Sequence, residues 1–469
     1  MNGSLNLRLP AGGLNYGFCP ETLFFVKSRN PDSSSKWISL LLALLGFLAA
    51  VAVGVTVFLL LRGPASPAWS AADATPPAGG RPELTYVPQP VGLPAEGHPM
   101  ITHVAIYDLD GDGLPDILVC DATASRVSWI RQSPRGVFTE YPLGDPIAGP
   151  AHVSVADING DGRPDLLVAS MGVIMPDNDL IGKVVILENL GGGRFRNHVV
   201  AENIPRVTDV RAVDLRGNGR LDLVVGQYGY VQGEIQWMEN LGGWKFRSHI
   251  LLDEPGTIMT PVADFYRDGK PDFAAVIAQN ALQEVHLFHN LGSGIFQDKV
   301  VWKSPNEHWN GSGLEVADLN GDGLPDLLYS NGDGFDTGFY GPPPWHGLQW
   351  LENRGDGNFV YHRIGDSPGC YSPVAVDLNG DGHLDIVTVS AFNKGNDTSS
   401  VWLTAWLNDG HEKFTPVPLA NSADSPTHLI TVAAGDLDGN GVPVLVTGGF
   451  FVYPPYTHMN RVTLWRRKK

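Results

Sequence analysis

Short aspartate-rich loops recur along this chain, and the oxygen atoms that they supply have the spacing of calcium ligands. The loops begin at Asp108, Asp157, Asp214, Asp264, Asp318, Asp377 and Asp436. In the best-matched loops, side-chain oxygens fall at positions 1, 3, 5 and 9, and a glycine stands at position 6. Calcium takes about six to eight oxygen ligands in flexible geometry, and a backbone carbonyl at position 7 can add to the set. The pattern therefore predicts calcium binding.

The seven loops differ in how many of these oxygens they carry. The third loop has Arg216 at position 3, and we expect its guanidinium to replace the metal by pairing with Asp214 and Asp222. The fourth and seventh loops depart from the pattern at Tyr266 and Val444. The other four loops are complete, so we expect about four calcium ions. The predicted ligands are Asp108, Asp110, Asp112 and Asp116; Asp157, Asn159, Asp161 and Asp165; Asp318, Asn320, Asp322 and Asp326; and Asp377, Asn379, Asp381 and Asp385.

These loops have two other interpretations. An EF-hand needs a bidentate glutamate at position 12, where the complete loops have Val119, Val168, Tyr329 or Thr388, and it also needs flanking helices, which the sequence does not predict. We therefore expect a calcium site between two strands. The second alternative is an acidic turn without metal, but crowding so many carboxylates into tight turns without cations is costly.

Each loop sits at the same place in a repeated series of strands. Apolar stretches such as residues 152–156 precede the loops, and short Val/Ile/Leu-rich runs such as residues 165–169 follow them. A third strand ends in an Asn-Gly turn, as at residues 237–243, and a fourth opens with an aromatic such as Phe246. Four antiparallel strands recurring about every 50 residues predict the blades of a β-propeller.

The two ends of the repeat region complement each other. The last repeat has only three predicted strands, and an unmatched β-like stretch, residues 84–89, precedes the first. We infer that this stretch supplies the missing strand and closes the ring, so that no sheet edge is left unpaired. The predicted fold is all-β, a seven-bladed β-propeller over residues 84–469. An open solenoid is the alternative.

The repeats resemble those of a known family. Residues 157–165 follow the pattern Asp-x-Asn-Gly-Asp-Gly-x-x-Asp, and residues 350–359 follow Trp-Leu-Glu-Asn-x-Gly-x-Gly-x-Phe. Both are similar to the FG-GAP/VCBS-type repeat, which is related to the propellers of integrin α-chains. The resemblance implies a propeller outside the cytoplasm. It implies little about activity, because propellers host unrelated functions.

An apolar segment near the N-terminus predicts a membrane anchor. Residues 37–61 carry no charge and are long enough to span a bilayer as one transmembrane helix. Basic residues are concentrated in residues 1–36, which the positive-inside rule places in the cytoplasm. Residues 62–83 are rich in Pro, Ala and Gly and are predicted to be a linker to an extracellular or periplasmic propeller. A cleaved signal peptide is the alternative.

The net charge limits the classes of partner. The formal net charge is −18 and the chain has no basic stripe, which argues against nucleic-acid binding.

The positions of the three cysteines argue against a disulfide. Cys19 precedes the anchor, and Cys120 and Cys370 fall in blades that are not adjacent. We therefore expect two isolated buried thiols rather than a disulfide.

Candidate ligand-binding residues fall in two regions. The long loops on the face opposite the calcium loops concentrate aromatics, and we select Tyr340, Trp345 and His346 there. Nearer the axis, three residues that precede the loop aspartates by five positions should converge at the channel mouth: His103, His152 and Asp209. The latter set has the chemistry of a transition-metal site or an acid–base pair. Packing of the loops and polar lining of the channel are the respective alternatives, and no residue is assigned as catalytic.

The sequence therefore favours a membrane-anchored, extracytoplasmic, calcium-binding propeller that acts as a binding or scaffold module for a protein or glycan. One alternative is a carbohydrate-active enzyme, a lyase or dehydratase, with its site at the channel mouth. The other is an accessory subunit of a membrane complex, which the predicted anchor suggests.

Overall fold

A computed structural model describes residues 84–279, 282–335, 342–423 and 425–468. These residues form seven four-stranded antiparallel sheets, one for each predicted blade. The predicted all-β, seven-bladed propeller is therefore confirmed. The predicted cytoplasmic segment, transmembrane helix and linker (residues 1–83) lie outside the described residues. Within the described ranges, no helix has the length and apolar character needed to cross a bilayer.

The strands follow one another in chain order within each blade. Blade 1 contains β2 (Ile101–Tyr107), β3 (Asp116–Asp121), β4 (Arg126–Gln132) and β5 (Phe138–Leu143). Blade 2 contains β6 (Pro150–Ala156), β7 (Asp165–Ser170), β8 (Gly182–Asn189) and β9 (Phe195–Ile204). Blade 3 contains β10 (Arg206–Val213), β11 (Asp222–Tyr228), β12 (Ile235–Gly242) and β13 (Lys245–Leu252). Blade 4 contains β14 (Val262–Ala263), β15 (Asp272–Gln279), β16 (Leu282–Gly292) and β17 (Ile295–Lys303).

The remaining blades repeat this arrangement. Blade 5 contains β18 (Gly311–Ala317), β19 (Asp326–Asn331), β20 (Gly347–Asn353) and β21 (Phe359–Asp366). Blade 6 contains β22 (Cys370–Val376), β23 (Asp385–Ser390), β24 (Val401–Asn408) and β25 (Phe414–Asn421). Blade 7 contains β26 (Leu429–Gly435), β27 (Val444–Gly449) and β28 (Val462–Arg467), together with β1 (Tyr86–Val91).

Burial follows the order of strands from the axis outward. Every residue of the second strands, for example β7 and β15, is buried, because these strands are covered on both faces by adjacent blades. The core is therefore a series of inter-blade layers, as where Leu118 and Val168 share one cluster. The fourth strands, such as β17, are largely exposed. This gradient explains why the second strand is the most uniformly apolar segment of each repeat.

Ring closure occurs in the predicted manner. β1 pairs antiparallel with β28, from Tyr86 opposite Arg467 to Val91 opposite Val462. The closing strand therefore runs two residues further along the chain than the predicted residues 84–89. Tyr86 is buried with Trp402 in the layer between blades 6 and 7, so the strand also contributes to the core. The prediction of two isolated buried thiols is confirmed for Cys120 and Cys370.

Candidate functional site

The first aspartate of each calcium-type loop closes the loop on itself. In the first loop, Asp108 accepts the backbone N–H groups of Asp112 at 3.1 Å and Gly113 at 2.9 Å. Gly113 has a φ of +83°, a conformation that favours glycine, which accounts for the glycine at position 6. Carboxylate oxygens of Asp108, Asp110 and Asp116 lie within 4.8 Å of one another. The loop thus gathers its oxygens around one point.

Cations stand beside two of the four complete loops. In the first, Arg131 donates from Nε to Asp110 at 2.6 Å and from Nη2 to Asp112 at 3.2 Å. In the second, Arg163 pairs with Asp161. Among the described residues, no lysine or arginine pairs with the loop carboxylates at positions 1 and 5 of the fifth and sixth loops. The four predicted sites therefore differ in how much positive charge a metal would have to displace.

The third and fourth loops carry a cation where their oxygen sets are incomplete. Arg216 donates to Asp222 at 2.9 and 3.0 Å and to Glu239 at 2.7 Å. The predicted pairing with Asp222 is therefore found, but Asp214 instead accepts backbone N–H groups within its own loop. In the fourth loop, Lys270 contacts Asp268 at 2.6 Å.

The aspartate at position 9 has a structural role that sequence reasoning missed. Asp116 is fully buried and accepts two backbone N–H groups, from Leu109 at 3.1 Å and from Gln132 at 2.7 Å. In the third and fourth loops, where the ligand set is incomplete, the equivalent aspartates also accept a backbone N–H near the end of the third strand, from Asn240 and from Asn290. Asp272 of the fourth loop accepts that of Phe265 as well. Burial raises the pKa of Asp165 and of Asp326 to about 6, against the opposing effect of these backbone bonds. Position 9 therefore ties the loop to the end of the third strand, with or without metal.

The asparagine that ends the third strand links neighbouring blades. Asn353 donates from Nδ2 to Pro325 O in its own blade at 3.0 Å and to Phe265 O in blade 4 at 3.1 Å. Asn290 and Asn408 make the equivalent inter-blade bonds, to Leu215 O and to the corresponding carbonyl of blade 5. The sequence suggested only a hairpin turn here. The sequence signal that could have revealed this bond is an asparagine that recurs at the end of the third strand, together with the aspartate at position 9 of the loop.

The three predicted channel-mouth residues do lie together. The rings of His103 and His152 are 4.0 Å apart between centroids, and His152 Nδ1 lies 3.0 Å from Asp209 Oδ1. Asp209 also accepts the N–H of Thr260 at 2.8 Å. Burial holds the pKa of both histidines well below the usual range, with smaller contributions from Arg211 on both and from His152 on His103. Both imidazoles are therefore neutral at neutral pH.

An ion pair lies close to this cluster. Arg211 of blade 3 donates to Asp209 at 3.0 Å and approaches Glu315 of blade 5 at 3.8 Å. Enclosure by the surrounding protein raises the pKa of Glu315, and the Arg211 guanidinium opposes that shift. Asp209 thus forms its ion pair with Arg211, because both histidines are neutral.

A cavity of about 150 Å³ opens where the first strands begin, and residues of all seven blades line it. His103 and His152 form part of its wall, and Arg206 lies in it beside Tyr228 and Tyr230. The side of the propeller that carries this cavity and the loops between second and third strands is called the long-loop face below. The side that carries the aspartate-rich loops, where calcium is predicted, is called the calcium-loop face.

Comparison with known protein families identifies the repeats. The family model described as FG-GAP-like repeat matches residues 108–168, 264–329 and 331–388. The chain carries FG-GAP-like repeats. No curated protein matches the sequence. Among solved structures, BBS1N in complex with ARL6DN, from a crystal soaked with lead, is 11% identical with a TM-score of 0.49, covering 82% of this chain and 97% of that one. The Dos1 propeller is 9% identical with a TM-score of 0.45, covering 78% of each chain.

In the FG-GAP propeller, the described residues of the predicted long-loop ligand set lie apart from the cavity. His346 is 1% exposed, its Nδ1 accepts the N–H of Gly369, and burial lowers its pKa to about 3. Trp345 donates from Nε1 to His308 O at 2.7 Å, and neither residue lines the cavity. Tyr340 lies outside the described residues. Trp345 and His346 are therefore held by local contacts just before β20 and do not join the channel-mouth group.

Several other loop aromatics combine packing with cavity lining. Phe335, Phe392 and Phe450 form one cluster with Tyr371 and Tyr453. Phe450 is fully buried, yet it lines the cavity together with Phe335 and Tyr371. The packing interpretation therefore holds for the base of these loops. Three of the five rings thus form part of the cavity wall as well.

Proposed function

We propose that this FG-GAP propeller is a membrane-anchored, extracytoplasmic module that binds a protein or glycan on its long-loop face. One observation carries the proposal: the cavity on that face receives side chains from every blade, so the ring as a whole constructs it. Binding sites of folded proteins are concave and mostly apolar with a few polar groups, which describes this cavity.

Calcium is proposed as a structural ion on the opposite face. The oxygen donors of the four complete loops fit a hard cation, and those of the second loop open on a cavity of about 310 Å³ lined by Asp157, Asn159 and Glu188. The ion would supply positive charge that relieves repulsion between the loop carboxylates. The protein's own contribution is to hold the first aspartate of each loop by backbone N–H groups, which fixes the oxygens before any ion arrives.

Membrane anchoring is proposed from residues 37–61, and topology decides it. Cells expressing the full-length protein should release it from membranes only with detergent. A protease added outside intact cells, or outside spheroplasts if the chain is periplasmic, should cleave the exposed chain but leave a tag on residue 1 intact. Release by salt or alkaline carbonate would contradict anchoring.

Binding can be assigned to a face with a matched pair of aromatic substitutions. Tyr456 is 39% exposed on a long loop and stacks on His98 at 3.7 Å. Trp244 stacks on His198 at 4.2 Å in a turn of the calcium-loop face. Tyr456→Ala should weaken capture of a glycan or protein identified on an array or by cross-linking, and Trp244→Ala should not. If Trp244→Ala weakens capture and Tyr456→Ala does not, the partner binds the calcium-loop face and the proposed binding face is wrong.

A second candidate function is acid–base catalysis on a sugar, favoured by His152, which lies 3.0 Å from Asp209 and lines the cavity. A neutral histidine beside a carboxylate has the chemistry of a general base. His152→Gln should then abolish turnover of the sugar that binds while leaving its affinity within a few-fold. If the wild-type protein leaves the bound sugar chemically unchanged after prolonged incubation, the catalytic proposal is wrong and binding remains the proposed function.

A further inference from the structure

We infer that the axial cavity is a site for a carboxylate attached to a small apolar body, and that Arg206 is its anion-binding group. The inference rests on the proposal that the long-loop face is the binding face, and it names the class of ligand. Two sources share this chemistry: a free organic acid and the C-terminal residue of a peptide.

Arg206 is a buried cation whose charge no described residue matches. Its side chain is 2% exposed, and its Nε and Nη2 atoms have no hydrogen-bond partner among the described residues. The bonds found there use Nη1, which donates to Ile174 O and Met175 O at 3.4 and 3.0 Å. In the described part of the chain, no carboxylate forms an ion pair with Arg206. A buried charge without a counter-ion is costly, and an anionic ligand would offset that cost.

The rings beside Arg206 hold the guanidinium in place. Its Cζ lies 5.2 Å from the ring centroid of Tyr228 and 5.6 Å from that of Tyr230. Cation–π contacts of this kind fix a guanidinium without neutralising it. The donor fork is therefore held within the cavity wall, and Nε with Nη2 is the edge that binds a carboxylate through two parallel bonds.

The rest of the cavity wall determines the polarity and size of the ligand's uncharged part. It is largely apolar, with Ile174, Ile258, Met259, Ile430 and Phe450 among its residues. An apolar cavity of about 150 Å³ accepts a body the size of benzene. A phosphate is disfavoured, because its second charge would find one guanidinium and neutral histidines.

The other charged groups nearby are already engaged. Asp333, the carboxylate in the cavity wall, accepts Tyr371 OH at 2.9 Å and the N–H of Phe335 at 3.0 Å. Asp209 is held by Arg211 and Thr260. Among the described residues around the cavity, Arg206 therefore remains the cation offered to a ligand.

The test compares charged and neutral probes on the full-length protein in lipid nanodiscs, with empty nanodiscs as the blank. 3-Phenylpropanoate is paired with 3-phenylpropanamide, and the peptide Gly-Gly-Phe with its C-terminal amide. Calorimetry should show each acid binding about tenfold or more tightly than its amide, the usual size of a charge-assisted bond. Binding of the free acid alone identifies a small-molecule site, and binding of the peptide acid identifies C-terminus recognition. Equal affinity for acid and amide, or no binding of either acid, overturns the inference.

Three variants separate ligand binding from loop support. Arg206→Met should remove the preference for the acid, and Arg206→Lys should keep part of it. Arg363→Met is the matched control, because Arg363 also lies over a ring, Trp309 at 5.6 Å, and also donates to two loop carbonyls, yet it pairs with Asp366 and lies outside the cavity. It should lower the melting temperature by a similar amount and leave the preference intact. Loss of the preference in Arg363→Met, or its retention in a folded Arg206→Met, overturns the assignment.

The two proposals fail in different ways. If neither acid binds but Tyr456→Ala still weakens a captured partner, the carboxylate site is wrong and the binding face stands. If the acids bind as expected while Tyr456→Ala and Trp244→Ala weaken partner capture equally, the assignment of macromolecular binding to the long-loop face is wrong. The axial site then stands alone.

Discussion

The two faces of this propeller are built from the same seven repeats by opposite means. On the calcium-loop face, short loops of one length are fixed by their own carboxylates, and a buried aspartate ties six of them to the third strand, as Asp116 and Asp385 do. On the long-loop face, loops of unequal length contribute unlike side chains to one cavity. The loops that repeat from blade to blade thus support the fold, and the loops that differ between blades form the cavity. Each prediction below tests this division.

The largest effect should come from opening the ring, since both faces depend on it. A fragment that starts after Pro94 lacks β1 and exposes the edge of β28. It should aggregate or lose cooperative unfolding, whereas a fragment that starts at Arg81 should remain soluble. Light scattering and thermal melts of the two fragments make the comparison. Equal stability would mean that β1 is dispensable.

Calcium removal should affect the calcium-loop face next most strongly. At 2 mM calcium and a dissociation constant of roughly 0.1 mM, one site adds about 1.8 kcal/mol, so four independent sites add on the order of 7 kcal/mol. The melting temperature should fall sharply in excess chelator. Asp161→Ala should remove one site's share, and Asp268→Ala, in an incomplete loop, should change the calcium dependence little. An unchanged melting temperature in chelator would contradict structural calcium.

Acid should act on the two faces with opposite signs. The folded pKa of His346 is about 3, below its ordinary value near 6.5, so its contribution to stability is present above pH 6.5 and is lost as the pH falls below it. The folded pKa of Asp165 is about 6, above its ordinary value of 3.8, so this group gains stability as the pH falls through 6. Between pH 7.5 and 5, His346 should cost about 2 kcal/mol.

The variant His346→Gln isolates that effect. Urea unfolding at both pH values should show the variant losing about 2 kcal/mol less on acidification than the wild type. Acid losses of equal size in the two proteins would show that His346 is not held neutral. His308→Gln, an exposed histidine nearby, serves as the control and should behave as the wild type.

The smallest effect should distinguish calcium loops from one another. Arg131 occupies two ligand carboxylates of the first loop, so Arg131→Gln should tighten calcium there by a few-fold, in keeping with the modest strength of exposed ion pairs. Arg354→Gln, which removes a partner of Glu352 only, is the control. Calcium titration by calorimetry compares them. Weaker binding in Arg131→Gln would show that the arginine supports the loop instead.

Features that repeat along the chain were predictable, and features that differ between blades were not. The spacing of the loops gave the blade number, and the missing strand of the last repeat gave the closure by β1. The inward direction of equivalent first-strand positions correctly brought His103, His152 and Asp209 together. These inferences need only periodicity, because equivalent residues of a ring occupy equivalent places.

The misses have a common physical cause. Whether His346 faces solvent or Gly369 depends on how one long loop folds, and that loop belongs to no repeat. Arg206 was not among the predicted site residues, because its isolation depends on the three-dimensional surroundings, where no described carboxylate pairs with it. The position-9 aspartate was assigned to metal alone, because one of its two backbone partners lies in another strand. Local pattern cannot supply such long-range contacts.

Closure by β1 also has a consequence for how the protein is made. A ribosome releases β1 early, but its partner β28 is completed only after roughly 370 further residues, which at about 5–20 residues per second takes on the order of 20–75 seconds. Throughout that time the first-made strand has no edge to join, and the exposed side of the growing ring has none either. The interval between the first and the last strand is therefore the stage of biogenesis at which a chaperone that binds extended strands would matter most.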